Sequence, residues 1–305
     1  MIKFITKGIF GFALFTIKCF IALSVLFFIF VGITIYQNRT IQTTKYEIKS
    51  DKLPKAFDGF KIVQLSDVHN DYYGERLAEL VAKVESEKPD IIAITGDLVD
   101  AQRYNVENTL AFIDEIKNIA PIYFVYGNHD LGINGDAYYE RMVEELEERG
   151  VKILNIKSST IVKENESINI VGIQDPSTLY GIERLEALDT YEEKNKAMIE
   201  EVLDNKINKN GFTLMLAHRP EYFKIYKDYD LDLVLTGHAH GGQFRIPFIG
   251  GVYAPNQGIF PKYTSGIHEE NDTSMIISRG LGNSRFPIRI FNTPEIVSVT
   301  LKSKK

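Results

Sequence analysis

Apolar runs and helical spacing alternate along the chain after residue 60. Short continuous apolar runs occupy residues 61–65, 90–94, 122–125, 212–216 and 231–235. Runs of this kind are typical of strands that are buried on both faces. Apolar residues recur every three or four positions in four longer segments, residues 74–88, 106–118, 136–149 and 185–205. That spacing predicts amphipathic helices between the strands.

Other parts of the chain predict strands that follow one another without helices. These shorter runs are residues 151–156, 160–162, 168–173, 274–278 and 296–301. Strand–helix alternation that gives way to antiparallel strand pairs predicts two packed mixed β-sheets with helices outside. We therefore expect a mixed α/β (α+β) fold, in which two mixed sheets are flanked by helices.

The N-terminal stretch differs from the rest of the chain. Residues 9–36 are apolar apart from Lys18 and a few small polar residues, and this length can cross a bilayer core. No small-x-small cleavage site follows it, which favours an uncleaved anchor over a cleaved secretory signal or a buried core helix. We predict one transmembrane helix in a segment 1–37, a linker with a first strand at 38–59, and a catalytic domain at 60–305.

A second apolar segment lies near the C-terminal third. Residues 244–253 include the run Ile246-Pro247-Phe248-Ile249-Gly250-Gly251-Val252. This run could be a buried connection beneath a functional site, or an exposed lip that touches membrane or a lipid substrate. The sequence leaves both alternatives open.

Composition excludes several classes of protein. With 44% hydrophobic and 25% charged residues, the 305-residue chain is an ordinary globular protein with a substantial core. The formal net charge of -6 gives no basic signature, so nucleic acid is not an expected partner. The single cysteine lies in the N-terminal apolar stretch, which leaves no disulfide and no thiolate metal site for the rest of the chain.

Five short polar motifs follow the apolar strands. In chain order they are Asp67-Val68-His69, Gly96-Asp97-Leu98-Val99-Asp100, Gly127-Asn128-His129-Asp130, the single His218, and Gly237-His238-Ala239-His240. Ligands in open α/β sheets bind outside the carboxyl ends of the strands, so we expect the motifs to converge at one rim. Any one of these histidines by itself would more simply be a hydrogen-bonded structural residue, but their common position after strands favours ligation.

The motifs hold enough donor atoms for two divalent cations that share one carboxylate. Asp67 and His69 are alternate residues, so an extended strand would place them on one face, where they could bind one cation. Asp97 follows a glycine, which permits close approach, and its two oxygens could bridge two metals. Two metals about 3.5–4 Å apart clamp both oxygens of an in-line displacement at phosphorus. The motifs therefore predict a two-metal phosphoesterase.

The series D-x-H, GD-x-x-D, GNHD, H and GH-x-H resembles the calcineurin-like metallophosphoesterase superfamily, from about Lys61 to the C-terminus. Four segments also resemble a narrower branch, the membrane-associated bacterial phosphoesterases similar to YkuE and to UDP-2,3-diacylglucosamine pyrophosphatases. These segments are residues 237–243, 253–258, 278–282 and 294–297.

The resemblance implies a role for each motif residue. One metal would be bound by Asp67, His69 and His240, the other by Asn128, His218 and His238, with Asp97 as the bridge. His129 matches a histidine that is not a ligand and assists the transition state or the leaving group. Asp100 matches an aspartate that orients this histidine in some relatives.

The resemblance leaves the contact to phosphate open. Some relatives carry a basic residue directly after the aspartate that corresponds to Asp100, but Ala101 stands there in this chain. The candidates for a phosphate-binding arginine are therefore Arg219, Arg279 and Arg285.

Together these features predict a two-metal hydrolase of phosphate esters, diesters included, or phosphoanhydrides. The nucleophile would be a metal-activated hydroxide, since metal binding lowers the pKa of water to about 7. Oxygen and nitrogen ligands suit Mn, Fe, Zn or Co. The expected substrate is a phosphate-containing small molecule, lipid or envelope component. The alternatives are a broad phosphomonoesterase or protein phosphatase and, in another class, a non-catalytic metal-binding envelope scaffold.

We expect a single-pass protein of the cell membrane with an extracytoplasmic catalytic domain. Lys3 and Lys7 precede the apolar span, which favours a cytoplasmic N-terminus. Five basic residues follow the span and favour the opposite orientation: Arg39, Lys45, Lys49, Lys52 and Lys55. Because the charges on the two sides of the span disagree, the prediction of an extracytoplasmic domain rests mainly on the resemblance to extracytoplasmic relatives.

Overall fold

The computed structural model describes residues 2–304 apart from 73, 131–135, 179–184, 186, 208–209 and 284–285. Its helices are α1 (Ile2–Arg39), α2 (Gly74–Glu87), α3 (Val106–Ile116), α4 (Asp136–Glu148), α5 (Tyr191–Lys206) and α6 (Phe223–Tyr226). Its strands are β1 (Gln42–Ser50), β2 (Lys61–Leu65), β3 (Ile91–Thr95), β4 (Ile122–Val125), β5 (Lys152–Ile153), β6 (Lys157–Lys163), β7 (Glu166–Gly172), β8 (Thr213–Leu216), β9 (Leu233–Thr236), β10 (Arg245–Ile246), β11 (Gly250–Gly251), β12 (Tyr253–Ala254), β13 (Gly258–Ile259), β14 (Gly266–Glu270), β15 (Thr273–Ile277) and β16 (Glu295–Ser303).

The first sheet has the strand order β1-β16-β2-β3-β4-β5. Strands β2 to β5 are parallel and are connected by helices, as parallel pairing requires. Strand β16 runs antiparallel to β2 and parallel to β1. Residues 38–59 therefore contribute an edge strand of this sheet in addition to a connection.

The second sheet has the order β14-β15-β9-β8-β7-β6. Its four central strands are parallel, and β14 and β6 pair with their neighbours in antiparallel hairpins. Both sheets are therefore mixed. Strand β6 is longer than the apolar run that predicted it, because backbone pairing with β7 continues through polar residues.

Three apolar clusters divide the fold into layers. The inner cluster joins the two sheets and includes Ile62, Tyr123, Leu214, Leu233 and Ile276. A second cluster covers the outer face of the first sheet with α2, α3 and α4, and a third covers the outer face of the second sheet with α5 and α6. Two packed mixed sheets flanked by helices confirm the predicted fold class.

Helix α5 begins later than predicted. Its first residue is Tyr191, not Leu185, because Thr190 forms a capping box with Glu193. The Thr190 hydroxyl accepts from the Glu193 N–H, and the Glu193 carboxylate accepts from the Thr190 N–H. This reciprocal pair satisfies two donors at the start of the helix.

Helix α1 contains the predicted apolar span and extends beyond it at both ends. Its apolar side chains are exposed, including Phe12, Phe20 and Phe28. This exposure contradicts the alternative of a buried core helix. By length and composition α1 can cross a membrane, although a signal sequence has the same character. Its last two turns contact the body, since Thr34 is buried and Asn38 is partly buried.

Candidate functional site

The five motifs directly follow five strands whose carboxyl ends share one rim. Strands β2, β3 and β4 lead to the motifs around Asp67, Asp97 and Asn128. Strands β8 and β9 of the second sheet lead to His218 and His238. The structure brings together residues up to 173 positions apart because the rims of both sheets meet here: Asp67 and His240 lie in one cluster.

The backbone at these residues is not strand-like. Positive φ angles occur at Asp67 (53°), His69 (51°), Asp97 (53°), His238 (64°) and His240 (46°). Left-handed conformations are uncommon for residues other than glycine, and they concentrate at functional sites where surrounding contacts hold them. The expectation that Asp67 and His69 share the face of an extended strand is therefore wrong. They meet because β2 ends at Leu65 and the chain turns.

One cluster is formed by Asp67, His69, Asp97 and His240, which are all buried. The Nε2 atoms of His69 and His240 lie 3.2 Å apart. His240 Nε2 lies 3.3 Å from Asp67 Oδ1, and His69 Nε2 lies 3.6 Å from Asp97 Oδ2. Two imidazole nitrogens and two carboxylate oxygens thus face one point, which is an arrangement suited to a divalent cation.

A second cluster shares Asp97 with the first and adds His218 and His238. Asp97 Oδ2 lies 3.3 Å from His218 Nε2, and His238 Nδ1 lies 3.2 Å from the same His218 nitrogen. Among the described residues, Asn128 Oδ1 is buried without a hydrogen-bond partner. Buried polar atoms are rarely left so, which indicates that a ligand satisfies this oxygen.

The donor set and its electrostatics fit a pair of divalent cations. Imidazole nitrogens that face each other at 3.2 Å need a proton or a cation between them. Burial lowers the pKa of His238 and of His240 well below 6.5, which leaves neutral rings with lone pairs for ligation. Burial alone would also lower the pKa of His218, but Asp97 and then Asp67 raise it to about 10. The carboxylates therefore make the site strongly attractive to positive charge.

A hydrogen bond and an ion pair behind the clusters orient two of their imidazoles. The Thr95 carbonyl accepts from Nδ1 of His218 at 2.8 Å, which turns Nε2 towards Asp97. Asp100 Oδ2 lies 3.4 Å from Nδ1 of His69. Burial opposes ionisation of Asp100, but its partners His69 and Arg103 hold the pKa of its carboxyl well below the usual range. Such carboxylate–histidine pairs fix the tautomer and orientation of metal ligands.

Asp130 ties two of the motif loops together, a function that its place in the sequence did not reveal. Its buried carboxylate accepts from the backbone N–H groups of Asp97, Leu98, Val99 and Gly127, at 2.7–3.1 Å. Burial beside Asp97 raises the pKa of Asp130 to about 7, while these N–H groups favour the ionised form. The bonds hold the β3 and β4 loops in register.

Two glycines allow the close packing of this rim. A Cβ on Gly96 would lie 2.4 Å from Nδ1 of His218, and a Cβ on Gly280 would lie 2.8 Å from Cβ of Asp67. Both residues also have positive φ, which side chains disfavour. The motif around Gly280 is therefore structural. Its neighbour Leu281 donates from its N–H to the Ser66 carbonyl, directly before Asp67.

His129 lies beside the first cluster and lines the cavity in front of it. Its Nδ1 accepts from the Ala101 N–H at 3.2 Å, so in the neutral ring the proton is on Nε2. Burial lowers the pKa of His129 below 6.5. Within the described residues, no hydrogen bond joins it to Asp100. Asp100 lies 3.4 Å from His69 and offers an oxygen within 4.8 Å of a ring nitrogen of His129, so its role in orienting His129 stays a prediction.

The three candidate arginines have different environments. Arg219 lines the cavity, where Asp175 accepts from its Nε at 2.5 Å and from its Nη2 at 3.2 Å, and Glu221 accepts from its Nη1. Arg279 donates to Glu295 and Gln42 of the first sheet, and these acceptors occupy its Nη2. Arg285 lies outside the described residues. The structure therefore offers only Arg219, of the described candidates, as a cavity-lining arginine.

Arg289 is a buried residue of this region that sequence reasoning missed. Its Nη2 lies 3.3 Å from Nδ1 of His240 and donates to the Gly282 carbonyl at 2.5 Å. Burial lowers its pKa to about 10, so it stays charged at neutral pH. No motif marks it, because it lies 49 residues beyond His240 in a segment without apolar periodicity.

The clusters open onto a cavity of about 240 Å³. The cavity is lined by Asp97, Asn128, His129, Arg219, His238, His240, Gln243, Tyr253, Pro255, Asn256 and Phe286, with Ala239. The lining combines polar side chains with the rings of Tyr253 and Phe286. A cavity of this kind can hold a phosphate group together with part of its substituent.

The sequence pattern of the calcineurin-like phosphoesterases matches residues 60–242, which include all five motifs. The chain belongs to the calcineurin-like phosphoesterase family. Enzymes of this family are hydrolases of phosphoester bonds that use a dinuclear metal site. The buried Asp/His clusters are compatible with such a site. The predicted family and enzyme class are thereby confirmed.

Curated relatives agree with this assignment. The chain is 32% identical to the uncharacterized metallophosphoesterase YkuE of Bacillus subtilis, over 86% of each protein. It is 27% identical to the phosphodiesterase YaeI of Escherichia coli, over 79% of this chain and 82% of that protein. It is 28% identical to a zebrafish (Danio rerio) transmembrane protein with metallophosphoesterase domain, over 84% of this chain and 56% of that protein.

Proposed function

We propose that this calcineurin-like phosphoesterase uses two divalent metals to hydrolyse a phosphate ester or phosphoanhydride on a membrane- or envelope-associated substrate. The observation that carries the proposal is the pair of buried clusters that share Asp97 and open onto one cavity. Asp67, His69 and His240 would hold one metal, and Asn128, His218 and His238 the other, with Asp97 between them. Once bound, the metals supply positive charge that orients a phosphate and activates water.

The chain's own residues would position the substrate and stabilise the leaving group. Three of the five N–H donors of Arg219 have protein partners, and we propose that the others contact a phosphate oxygen. The Nε2–H of His129 would form a hydrogen bond to the leaving oxygen and stabilise the negative charge that develops there, because its Nδ1 is occupied by the Ala101 N–H. Asp100 would act on His69 as an orienting partner.

The apolar helix α1 and a relative named as a transmembrane protein suggest a membrane protein. We propose that α1 is retained as an anchor (1–37) and that the residues after it form the catalytic body. Support comes from two residues inside this segment: the ring of Phe30 contacts the ring of Phe291, and Thr34 is buried. A cleaved segment would not need such contacts with the folded body.

We further propose that the catalytic body is extracytoplasmic. Lys3 and Lys7 precede the apolar span, where positive charge favours the cytoplasmic side. The lysines after α1 belong to a long folded body; Lys45 pairs with Glu87 and Lys52 with Asp230. Long domains cross the membrane largely regardless of their charge, so these lysines weigh less. In protease treatment of intact protoplasts, we expect the body to be degraded; protection until lysis would contradict this orientation.

The test of the proposed function uses the full chain purified in detergent micelles. After treatment with a chelator, we expect no hydrolysis of chromogenic phosphate mono- and diesters. Addition of Mn, Zn, Fe or Co should restore hydrolysis together with two metals per chain, measured by elemental analysis. Hydrolysis that survives complete removal of metal would contradict the proposal. Two bound metals without hydrolysis of any phosphate tested would favour the alternative of a metal-binding scaffold.

A further inference from the structure

Exposed large apolar side chains outside α1 concentrate in one region. Among the described residues, all of them except Val162 and Tyr191 lie between residues 246 and 291. We call the following set the apolar lip: Ile246, Phe248, Ile249, Ile259, Phe260, Phe286, Ile288 and Phe291. This exposure contradicts the alternative that residues 244–253 form a buried connection. Contiguous exposed apolar patches mark sites of contact with another surface.

The lip borders the cavity that holds the candidate metal site. Phe286 lines that cavity and contacts the ring of Phe244, which leads into the β10–β11 hairpin. The side-chain amide of Gln243 donates to the Phe286 and Ile288 carbonyls at 3.1 and 2.8 Å. Gln243 also lines the cavity. Hydrogen bonds and a ring contact therefore connect the apolar lip to the margin of the cavity.

The lip is also continuous with α1. The ring of Phe291 contacts the ring of Phe30, with centroids 6.0 Å apart. Arg289 donates from its N–H to Asn38 Oδ1 at 2.8 Å, and Asn38 Nδ2 donates to the Arg289 carbonyl at 2.6 Å. Phe30 and Asn38 are eight residues apart and lie on one face of α1, with the buried Thr34 between them.

These contacts set the depth of the lip relative to the apolar span. Phe30 precedes Tyr36, the last residue of the apolar stretch, by six residues, which is about 9 Å along a helix. Phe291 therefore lies at the level of an apolar part of α1, not at its polar end. Amphipathic elements that rest in a bilayer surface insert their apolar side chains to about 5–10 Å. The depth of Phe291 matches that of an interfacial insertion.

The backbone of the lip is held in an unusual conformation. Phe248, Phe260 and Phe291 have φ angles of 69°, 52° and 49°. Left-handed conformations are strained for bulky aromatic residues and persist only where surrounding contacts hold them. Phe248 is fully exposed at the tip of the β10–β11 hairpin. Its neighbours Pro247 and Ile249 line a shallow surface depression together with Phe291. The fold thus holds large aromatic rings outward, although burial would stabilise them.

We infer that the apolar lip is a second membrane contact, which inserts into the leaflet reached by the C-terminal end of α1. The inserted lip holds the cavity mouth at the level of the lipid headgroups. The phosphate that reaches the metal site from that position is a phosphate on a lipid headgroup. The membrane contact stands on the geometry of the lip and α1, and the substrate class rests in addition on the proposed function.

Tryptophan fluorescence tests the membrane contact, since the chain has no tryptophan. The full-length Phe248→Trp variant is reconstituted in phosphatidylcholine vesicles with bromine on the acyl chains. We expect blue-shifted emission that the brominated lipid quenches. The matched control is Val162→Trp, at an exposed position that pairs with Ser167, at the end of β7 remote from the rim. Its emission should be red-shifted and insensitive to bromine.

Two results would overturn the membrane contact. Emission of Phe248→Trp that matches the Val162→Trp control would show that the lip faces water. Emission that resists aqueous acrylamide but is not quenched by brominated lipid would show that protein, such as a second copy of the chain, covers the lip. Neither result depends on catalysis, so failure of the proposed function leaves this test intact.

A charge on the lip tests the substrate class. For the double variant Phe248→Asp, Ile249→Asp, we expect the rate on a phosphatidic acid vesicle to fall by about tenfold or more, because charged side chains resist insertion. The rate on a soluble chromogenic phosphate should equal that of the parent and of Val162→Asp. Equal loss on both substrates would contradict the inference. Absence of hydrolysis of either substrate by the parent chain would contradict the proposed function instead.

Discussion

Replacement of Asp97 by asparagine is expected to remove bound metal and reduce phosphoester hydrolysis by at least about 10³-fold. Asp97 belongs to both clusters, and its Oδ2 faces His69 in one and His218 in the other. The amide removes the negative charge that both cations would share. A metal supplies several kcal/mol of transition-state stabilisation, and each 1.36 kcal/mol changes the rate about tenfold.

The asparagine variant should still fold. Asp97 Oδ1 accepts from the His129 N–H at 2.8 Å, and an amide oxygen can replace it there. Circular dichroism and thermal unfolding of the metal-free proteins check this point. Asp51→Asn, at an exposed position after β1, is the matched control and should keep both metals and full activity. An Asp97→Asn protein that retains two metals and the parent rate would refute the bridging role.

For His129→Gln we expect two metals to remain bound while the turnover rate falls by about 10²–10³-fold, which is the usual effect of removing one hydrogen bond to a charge that develops in the transition state. Glutamine can accept the Ala101 N–H as His129 Nδ1 does, so the loop conformation should persist. The loss should be larger for substrates with alkyl leaving groups than for nitrophenyl esters, because a nitrophenolate leaves without stabilisation by a hydrogen bond. Rates on the two ester types and elemental analysis of the same samples measure both effects.

His268→Gln is the matched control for this variant, since His268 lies on β14 and contacts Tyr263. It should preserve rate and metal content. Loss of a metal in His129→Gln would identify His129 as a ligand. Equal rate losses on alkyl and nitrophenyl esters would instead assign it a role in binding the phosphate.

Much of the architecture was predictable because buried strands and amphipathic helices have characteristic local patterns of apolar residues. The runs at 61–65 and 122–125 agree residue for residue with β2 and β4, which are buried along nearly their whole length. Helix α2 ends one residue before its predicted end, where Pro89 follows shortly. Predicted element boundaries were wrong where something other than apolar periodicity sets the end of the element. Helix α5 is an example, because the capping box at Thr190 makes it begin later than predicted.

The motif residues were also recognisable, because each follows a buried strand and carries a donor atom. The geometry of these residues relative to one another could not be predicted from the sequence. Asp67 and His69 meet through left-handed turns rather than along a strand, and Asp100 lies against His69. These outcomes depend on how loops from different strands pack, and no local pattern encodes that packing.

The sequence by itself determined the strands, the motif series and hence the family, because these depend on local burial and on residue type. Only the tertiary structure decided what lies around the site. The contact between Asn38 and Arg289 joins residues 251 positions apart, and it connects α1 to the segment that reaches His240. The exposure of Phe248 was equally undecided, since an apolar run looks the same whether it is buried or presented to a membrane. Which surfaces remain uncovered depends on the packing of the whole chain, and so does the place of the candidate metal site relative to helix α1.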